Sequence, residues 1–354
     1  MTADRTRAGN NFGMVRLALA TLVVLSHSPE LLDGDRSREL LSRLFGSLSF
    51  GEFAVDGFFL VSGYLVTQSC ERSRSGVDYL AKRILRVYPG FIAAFLVSLL
   101  VVGPLAGGVF ATLAGRPGFA QVAGMLRLQS PALEGAFAGL HHPILNGATW
   151  TIAYEFRCYV LTLGLGALGL FRRRALYLGL TLALLALHLS GLPFDYGLPD
   201  IAAAVFGTIA DNVRFFGVFC VGGCFYLFRD RIPYSGGRAM LAALGCAATL
   251  FVPALAETGL AVFGGYALFW FSFHAHGRLL RRLDPPMDIS YGLYLYAWPV
   301  QNLIIQRDPA ISPWVLFALS TAIAAAIGLA SWVLVERPCL ALKSHFGQGA
   351  RIGR

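Results

Sequence analysis

Residues 14–32 read MVRLALATLVVLSHSPELL. A run this long and this apolar has about the length a helix needs to cross a bilayer, roughly 20 residues. It carries Arg16 and His27 and is followed by acidic loop residues with no small-residue cleavage site, so a retained span is expected here and not a cleaved signal peptide. Eleven positions separate Arg16 from His27. At about 100° per residue they return to within roughly 20° of the same helix face, some 16.5 Å apart along the axis. An arginine and a histidine on one stripe of a membrane helix set the question for the rest of the chain.

Further runs of the same kind follow at about 51–70, 87–110, 150–171, 175–191, 213–228, 239–256, 258–275, 288–306 and 313–335. With the first they make ten. The composition agrees: 56% of the 354 residues are hydrophobic and 14% charged, with mean hydropathy +0.62, against about 25% charged in an average soluble domain. This balance excludes a disordered chain, a disulfide-rich secreted scaffold and a coiled coil. The six cysteines are scattered, with no CxxC and no histidine at metal-ligating spacing, and read as small hydrophobes; no metal is expected.

In a soluble chain a net charge of +9 would point toward nucleic acid. Here the basic residues alternate between connections. One set, including Arg5, Arg7, Arg72, Arg74, Lys82, Arg83, Arg86, Arg172 to Arg174, Arg278, Arg281, Arg282, Lys343 and Arg351, holds 21; the alternate set, such as Arg36, Arg43, Arg116 and Arg307, holds 6. Lys and Arg accumulate in cytoplasmic loops, so both termini are expected inside, which requires an even number of spans. The fold class is therefore all-α: a polytopic transmembrane bundle of about ten helices forming one domain over 1–354, core 10–342. The longest outer connection, about 111–149, contains His141 and His142 and is long enough to cap a cavity.

Ionisable groups inside a membrane are functional candidates by default. His27 is the usual type of general base near neutral pH, and the bland reading of Arg16 is a snorkelling anchor. Glu155, in Trp150-Thr-Ile-Ala-Tyr-Glu-Phe-Arg157, is expected at a depth similar to His27; the alternative is a structural ion pair with Arg157 or Arg214. Asp56, near the outer end of the second run, suits orienting His27 or joining the chemistry. Ser62 and Gly63 follow, a small-residue pair that also permits close helix packing. Arg83 and Arg86 lie three apart, on one face if the stretch is helical. They serve either as a topology determinant or as a bidentate phosphate site.

These pieces occur together in a known order. Arg16 with ten residues before His27, the run Val55-Asp56-Gly57-Phe58-Phe59-Leu60-Val61-Ser62-Gly63-Tyr64, Arg83-x-x-Arg86 before Tyr88-Pro89, Trp150-Thr151 to Tyr154-Glu155, Asp288-Ile-Ser290-Tyr291-Gly-Leu-Tyr294-Leu-Tyr296 and Glu336-Arg337-Pro338 are the matching segments. Together the chain resembles the acyltransferase-3 family of integral-membrane O-acyltransferases, bacterial enzymes typified by those that acetylate surface polysaccharide and lipopolysaccharide. One departure stands out: many members place a histidine just before the proline of the ninth-helix motif, where this chain has Ala297-Trp298-Pro299. The short tail after the last run resembles the stand-alone form, without a fused esterase-like domain.

The resemblance implies acyl-CoA, most often acetyl-CoA, as donor, no permanently bound cofactor, and a sugar hydroxyl of a glycan or glycolipid as acceptor, in the bacterial inner membrane. On that reading His27, Glu155 and Asp56 are expected in catalysis and Arg16, Arg83, Arg86, Ser62 and Tyr64 in donor binding, with no nucleic-acid partner. The reading from another class is a proton-coupled transporter or flippase, with His27, Glu155 and Asp56 as its relay. Matching halves with paired interrupted helices, which that class would show, are not seen in the sequence.

Overall fold

The computed structural model describes residues 10–113, 115–192, 206–275 and 288–343. Arg5, Arg7, Arg278, Arg281, Arg282 and Arg351 of the basic set lie outside them. The described residues are helical with no strands. In chain order the principal helices are α1 (Phe12–Asp33), α2 (Leu40–Phe45), α3 (Phe50–Arg72), α4 (Gly76–Leu105), α5 (Arg116–Leu126) and α6 (Trp150–Ala167). Then come α7 (Arg174–Leu189), α8 (Ile209–Leu227), α9 (Gly236–Leu250), α10 (Pro253–His274), α11 (Ser290–Arg307) and α12 (Pro313–Ala341). Every expected apolar run coincides with one of these helices.

Five of them, α1, α3, α4, α10 and α12, are long and apolar enough to cross a bilayer. The chain is an integral membrane protein. Within α4, α10 and α12 the regular ladder is interrupted by π-helical turns at Ser98–Val102, Leu260–Gly264 and Trp332–Glu336. Such bulges add a residue to a turn and shift the faces on either side of it.

Helix ends follow local chemistry. Ser49 and Glu52 form a reciprocal capping box at the start of α3, each side chain accepting from the other's backbone N–H. Ser75 caps α4 through the Asp78 N–H, so α4 begins eleven residues before the apolar run expected at 87. The basic stretch Lys82 to Arg86, read from sequence as a loop, is helical. Arg83 and Arg86 therefore do share a helix face.

The chain divides into two compact units. The first comprises Met1–Ser26, Arg36–Gln68 and Leu168–Ser290, and the second His27–Asp35, Ser69–Ala167 and Tyr291–Arg354. In the first unit α3 and α8 cross at Gly63 and Gly222. A Cβ on Gly63 would strike the Phe219 carbonyl, and one on Gly222 the Leu60 carbonyl, so only hydrogen fits at either position. Tyr64 fills the adjoining space, packed among Phe12, Tyr226, Phe269 and Phe273. The second unit is built likewise: α11 meets α12 at Gly292 and Gly328, and Gly90 of α4 abuts Tyr291 and Glu336.

Candidate functional site

His27 lies near the end of α1. Its Nδ1 is 3.1 Å from Glu30 Oε2, both side chains being about one-seventh exposed (16% and 13%). The spacing i, i+3 places the two on one helix face. Among the described residues the imidazole Nε2 has no hydrogen-bond partner. The ring packs edge-on against Trp298 of α11, with centroids 4.9 Å apart. Ser28, the next residue, accepts from Gln301 one turn further along α11.

Trp298 is held on several sides. Its Nε1 donates to the Ile144 carbonyl at 3.0 Å, and its indole lies against Gly147, where any side chain would collide with the ring. Asn302 donates to the carbonyls of His142 and Ile144, and Asn146 donates to the Leu295 carbonyl at 2.8 Å. The connection between α5 and α6 is thus fastened to α11 mainly through backbone carbonyls.

Toward the other end of α11 stands a second group. Tyr159 donates to Glu155 Oε1 at 2.6 Å, and the Tyr291 hydroxyl lies in the electrostatic field of Glu155, Glu336 and Arg86. The Arg86 guanidinium is 5.9 Å from the Tyr291 ring centroid, and that of Arg83 is 5.8 Å from the Tyr159 ring and 6.0 Å from the Tyr79 ring. Arg83 also donates to Ser69 Oγ at 3.1 Å. Lys343, just past α12, completes a basic cluster. Its burial and the positive charges of Arg83, Arg86 and Lys82 push its ammonium down to about 7. Lys82 is held by Asp78 at 2.7 Å, and the Arg83 and Arg86 guanidiniums and the Lys343 amine gather positive charge at this end of α11.

Glu155 acts electrostatically on Tyr291 and Tyr294, and His27 packs on Trp298 of the same helix. The acid beside His27 is Glu30, which the sequence reading passed over. The i, i+3 spacing in His27-Ser-Pro-Glu30 was its signal.

Asp56 is also placed differently from expectation. It is fully buried, and its Oδ1 pairs with Arg214 at 3.2 Å. Arg214 Nε reaches Glu257 at 3.0 Å, and Glu257 meets His188 Nε2 at 2.6 Å, so α3, α8 and α10 contribute one charge each to a chain of alternating sign that ends on the His188 imidazole of α7. Arg214 is thus committed to Asp56 and Glu257, not to Glu155, and Arg157 stacks on Tyr154 at 4.4 Å. Arg16 pairs with Asp288 at 3.0 Å, and Asp288 also accepts from Ser290. Ser62 and Tyr64 sit in the packed interior of the first unit, flanking the Gly63 crossing.

The sequence profile of the acyltransferase domain matches residues 11–336, from just before α1 into the last turns of α12. The chain belongs to the acyltransferase-3 family. This acyltransferase is 26% identical over 345 residues to a protein of Shigella phage Sf6 named O-acetyl transferase, covering 95% of the chain and 97% of that protein. It is 28% identical over 359 residues to nodulation protein 10 of Rhizobium leguminosarum bv. viciae, covering 95% and 94%. No solved structure matches it. Family and relatives together identify an O-acyltransferase, an enzyme that moves an acyl group onto a hydroxyl.

Proposed function

We propose that this acyltransferase takes an acyl group, acetyl in the first instance, from cytoplasmic acyl-CoA and delivers it to a carbohydrate hydroxyl of a surface glycan or glycolipid. The observation that carries the reading is the His27–Glu30 pair. A carboxylate on Nδ1 fixes the imidazole tautomer and leaves Nε2, which has no hydrogen-bond partner among the described residues, as the base. The hydroxyl proton passes to Nε2 as the oxygen attacks the thioester carbonyl. When the C–S bond breaks, the departing CoA thiolate takes that proton from the imidazolium.

The donor's phosphates and its reactive carbon are served by different ends of the site. Arg83, Arg86 and Lys343 supply charge for the phosphates at the cytoplasmic side, and guanidinium binds phosphate in bidentate fashion. The pantetheine arm then extends along α11 past Tyr291 and Tyr294 toward Trp298 and His27. Glu155 and its tyrosines line that path. Asp56 acts through Arg214 as a structural ion pair, and Arg16 orders the entry to α11 through Asp288. Surface glycans are completed outside the bacterial inner membrane while the thioester is made inside, which explains a site built along a membrane helix.

The test is release of CoA from acetyl-CoA by purified enzyme in detergent. His27→Ala is expected to abolish acyl transfer, and Arg83→Ala with Arg86→Ala to raise donor KM at least tenfold, each lost charge-assisted contact being worth about 1.5–3 kcal/mol. Wild-type transfer by a folded His27→Ala enzyme would remove His27 as the base. Substrate transport without thioester consumption would replace the reading with a transporter.

A further inference from the structure

The mechanism leaves His142 without a task. Its ring packs edge-on against Trp298 with centroids 6.1 Å apart, on the same indole that meets His27. The imidazole is not what holds its loop in place, because Asn302 and the Ile144 N–H bind the His142 carbonyl. The side-chain Nε2 is buried with no hydrogen-bond partner among the described residues. A polar nitrogen left unmatched costs about 1–3 kcal/mol, which a hydrogen-bonding ligand beside the candidate base would recover. The neighbouring His141 is exposed and turned against Gly34.

We propose that His142 binds the acceptor, its Nε2 hydrogen-bonding one hydroxyl of a carbohydrate while an adjacent hydroxyl of the same sugar faces His27 across Trp298. This rests on the reading of His27 as the base. A neutral imidazole nitrogen either donates or accepts, and a hydroxyl does both, so the pairing works in either tautomer. The position is on the acceptor's side of the site: Trp298 lies seven residues, about 10 Å, along α11 from Tyr291, where Arg86 stands. No bond is made or broken at His142. Its effect is to hold a vicinal diol so that one oxygen is presented to the thioester carbon, which selects polyhydroxylated acceptors over simple alcohols.

The experiment uses membranes of source cells lacking their own copy and expressing each variant, supplied with [14C]acetyl-CoA. Label in endogenous glycan and donor KM are both read. His142→Phe keeps a ring against Trp298 and deletes the nitrogen, whereas His142→Gln keeps a hydrogen-bonding group at about the same reach. Transfer is expected to fall at least tenfold in His142→Phe and to return to within threefold of wild type in His142→Gln, donor KM staying within twofold in both. Wild-type transfer in His142→Phe, a glutamine variant no better than the phenylalanine one, or a parallel rise in donor KM would each overturn the proposal. If His27→Ala abolishes transfer while His142→Phe matches wild type, only this proposal falls. If His27→Ala transfers normally, the base assignment falls first.

Discussion

Replacing Glu30 by glutamine removes one negative charge 3.1 Å from His27 Nδ1 and keeps the shape of the side chain. The side chain keeps its volume and an oxygen acceptor, so the ground-state contact to a neutral imidazole survives. During transfer the imidazole becomes imidazolium, and the ion pair with Glu30 exists only then. Two unit charges at 3.1 Å attract by about 5 kcal/mol at an effective dielectric constant near 20. The net worth is smaller, because both groups are partly desolvated and a charge-assisted hydrogen bond typically contributes about 1.5–3 kcal/mol. A term of that size present in the transition state and absent from the ground state lowers kcat about 10- to 150-fold and leaves donor KM unchanged. The assay is thiol release from acetyl-CoA, followed with a chromogenic disulfide on enzyme of verified monodispersity. Glu30→Asp, which keeps the charge on a shorter stem, is expected to fall between wild type and Glu30→Gln. A Glu30→Gln enzyme with kcat within twofold of wild type would refute the reasoning, as would equal damage to kcat and donor KM.

Two further outcomes follow from the charge placements. Below about pH 7 the Lys343 ammonium is protonated and adds its charge to Arg83 and Arg86 at the proposed donor site; above it the lysine is neutral, and an arriving phosphate must draw a proton in with it. Donor affinity therefore falls as pH rises past 7, by up to about tenfold per unit, and Lys343→Gln flattens the dependence of donor KM between pH 6 and 9; an unaltered slope in that variant would exclude Lys343 from the site. Asp56→Asn strands part of the Arg214 charge in a buried setting, which should cost about 3 kcal/mol and lower Tm in detergent. Adding Arg214→Gln should restore part of that loss, and strict additivity of the two changes would show that the pair is not coupled.

Much of the architecture was legible because membrane helices announce themselves by length and apolarity, and each expected run became a helix. The ordered motifs carried the family as well. What escaped was the pairing of charges between helices. Asp56 looked like a partner for His27 because both are polar groups in apolar runs, but its true partner, Arg214, lies 158 positions away on α8, and no periodicity along α3 points there. Lys343 escaped because it counted as one more topology charge; only the packing of the end of α12 beside α4 sets it among Arg83 and Arg86. Glu30 was within reach, and was missed because an acid near a helix end reads as the start of a loop.

The fastening of the connection before α6 onto α11 also orders events during synthesis. Ile144 and Asn146 find their partners in Trp298 and Leu295, separated from them by 154 and 149 positions. At about 5–20 residues per second a ribosome needs roughly 8–30 s to make that intervening chain. During that interval α1 and His27 already exist while the indole against which His27 rests has not been made. A nascent or truncated chain therefore carries the proposed base before it carries the indole on which it rests, and the His27–Trp298 contact forms only after α11 has been made.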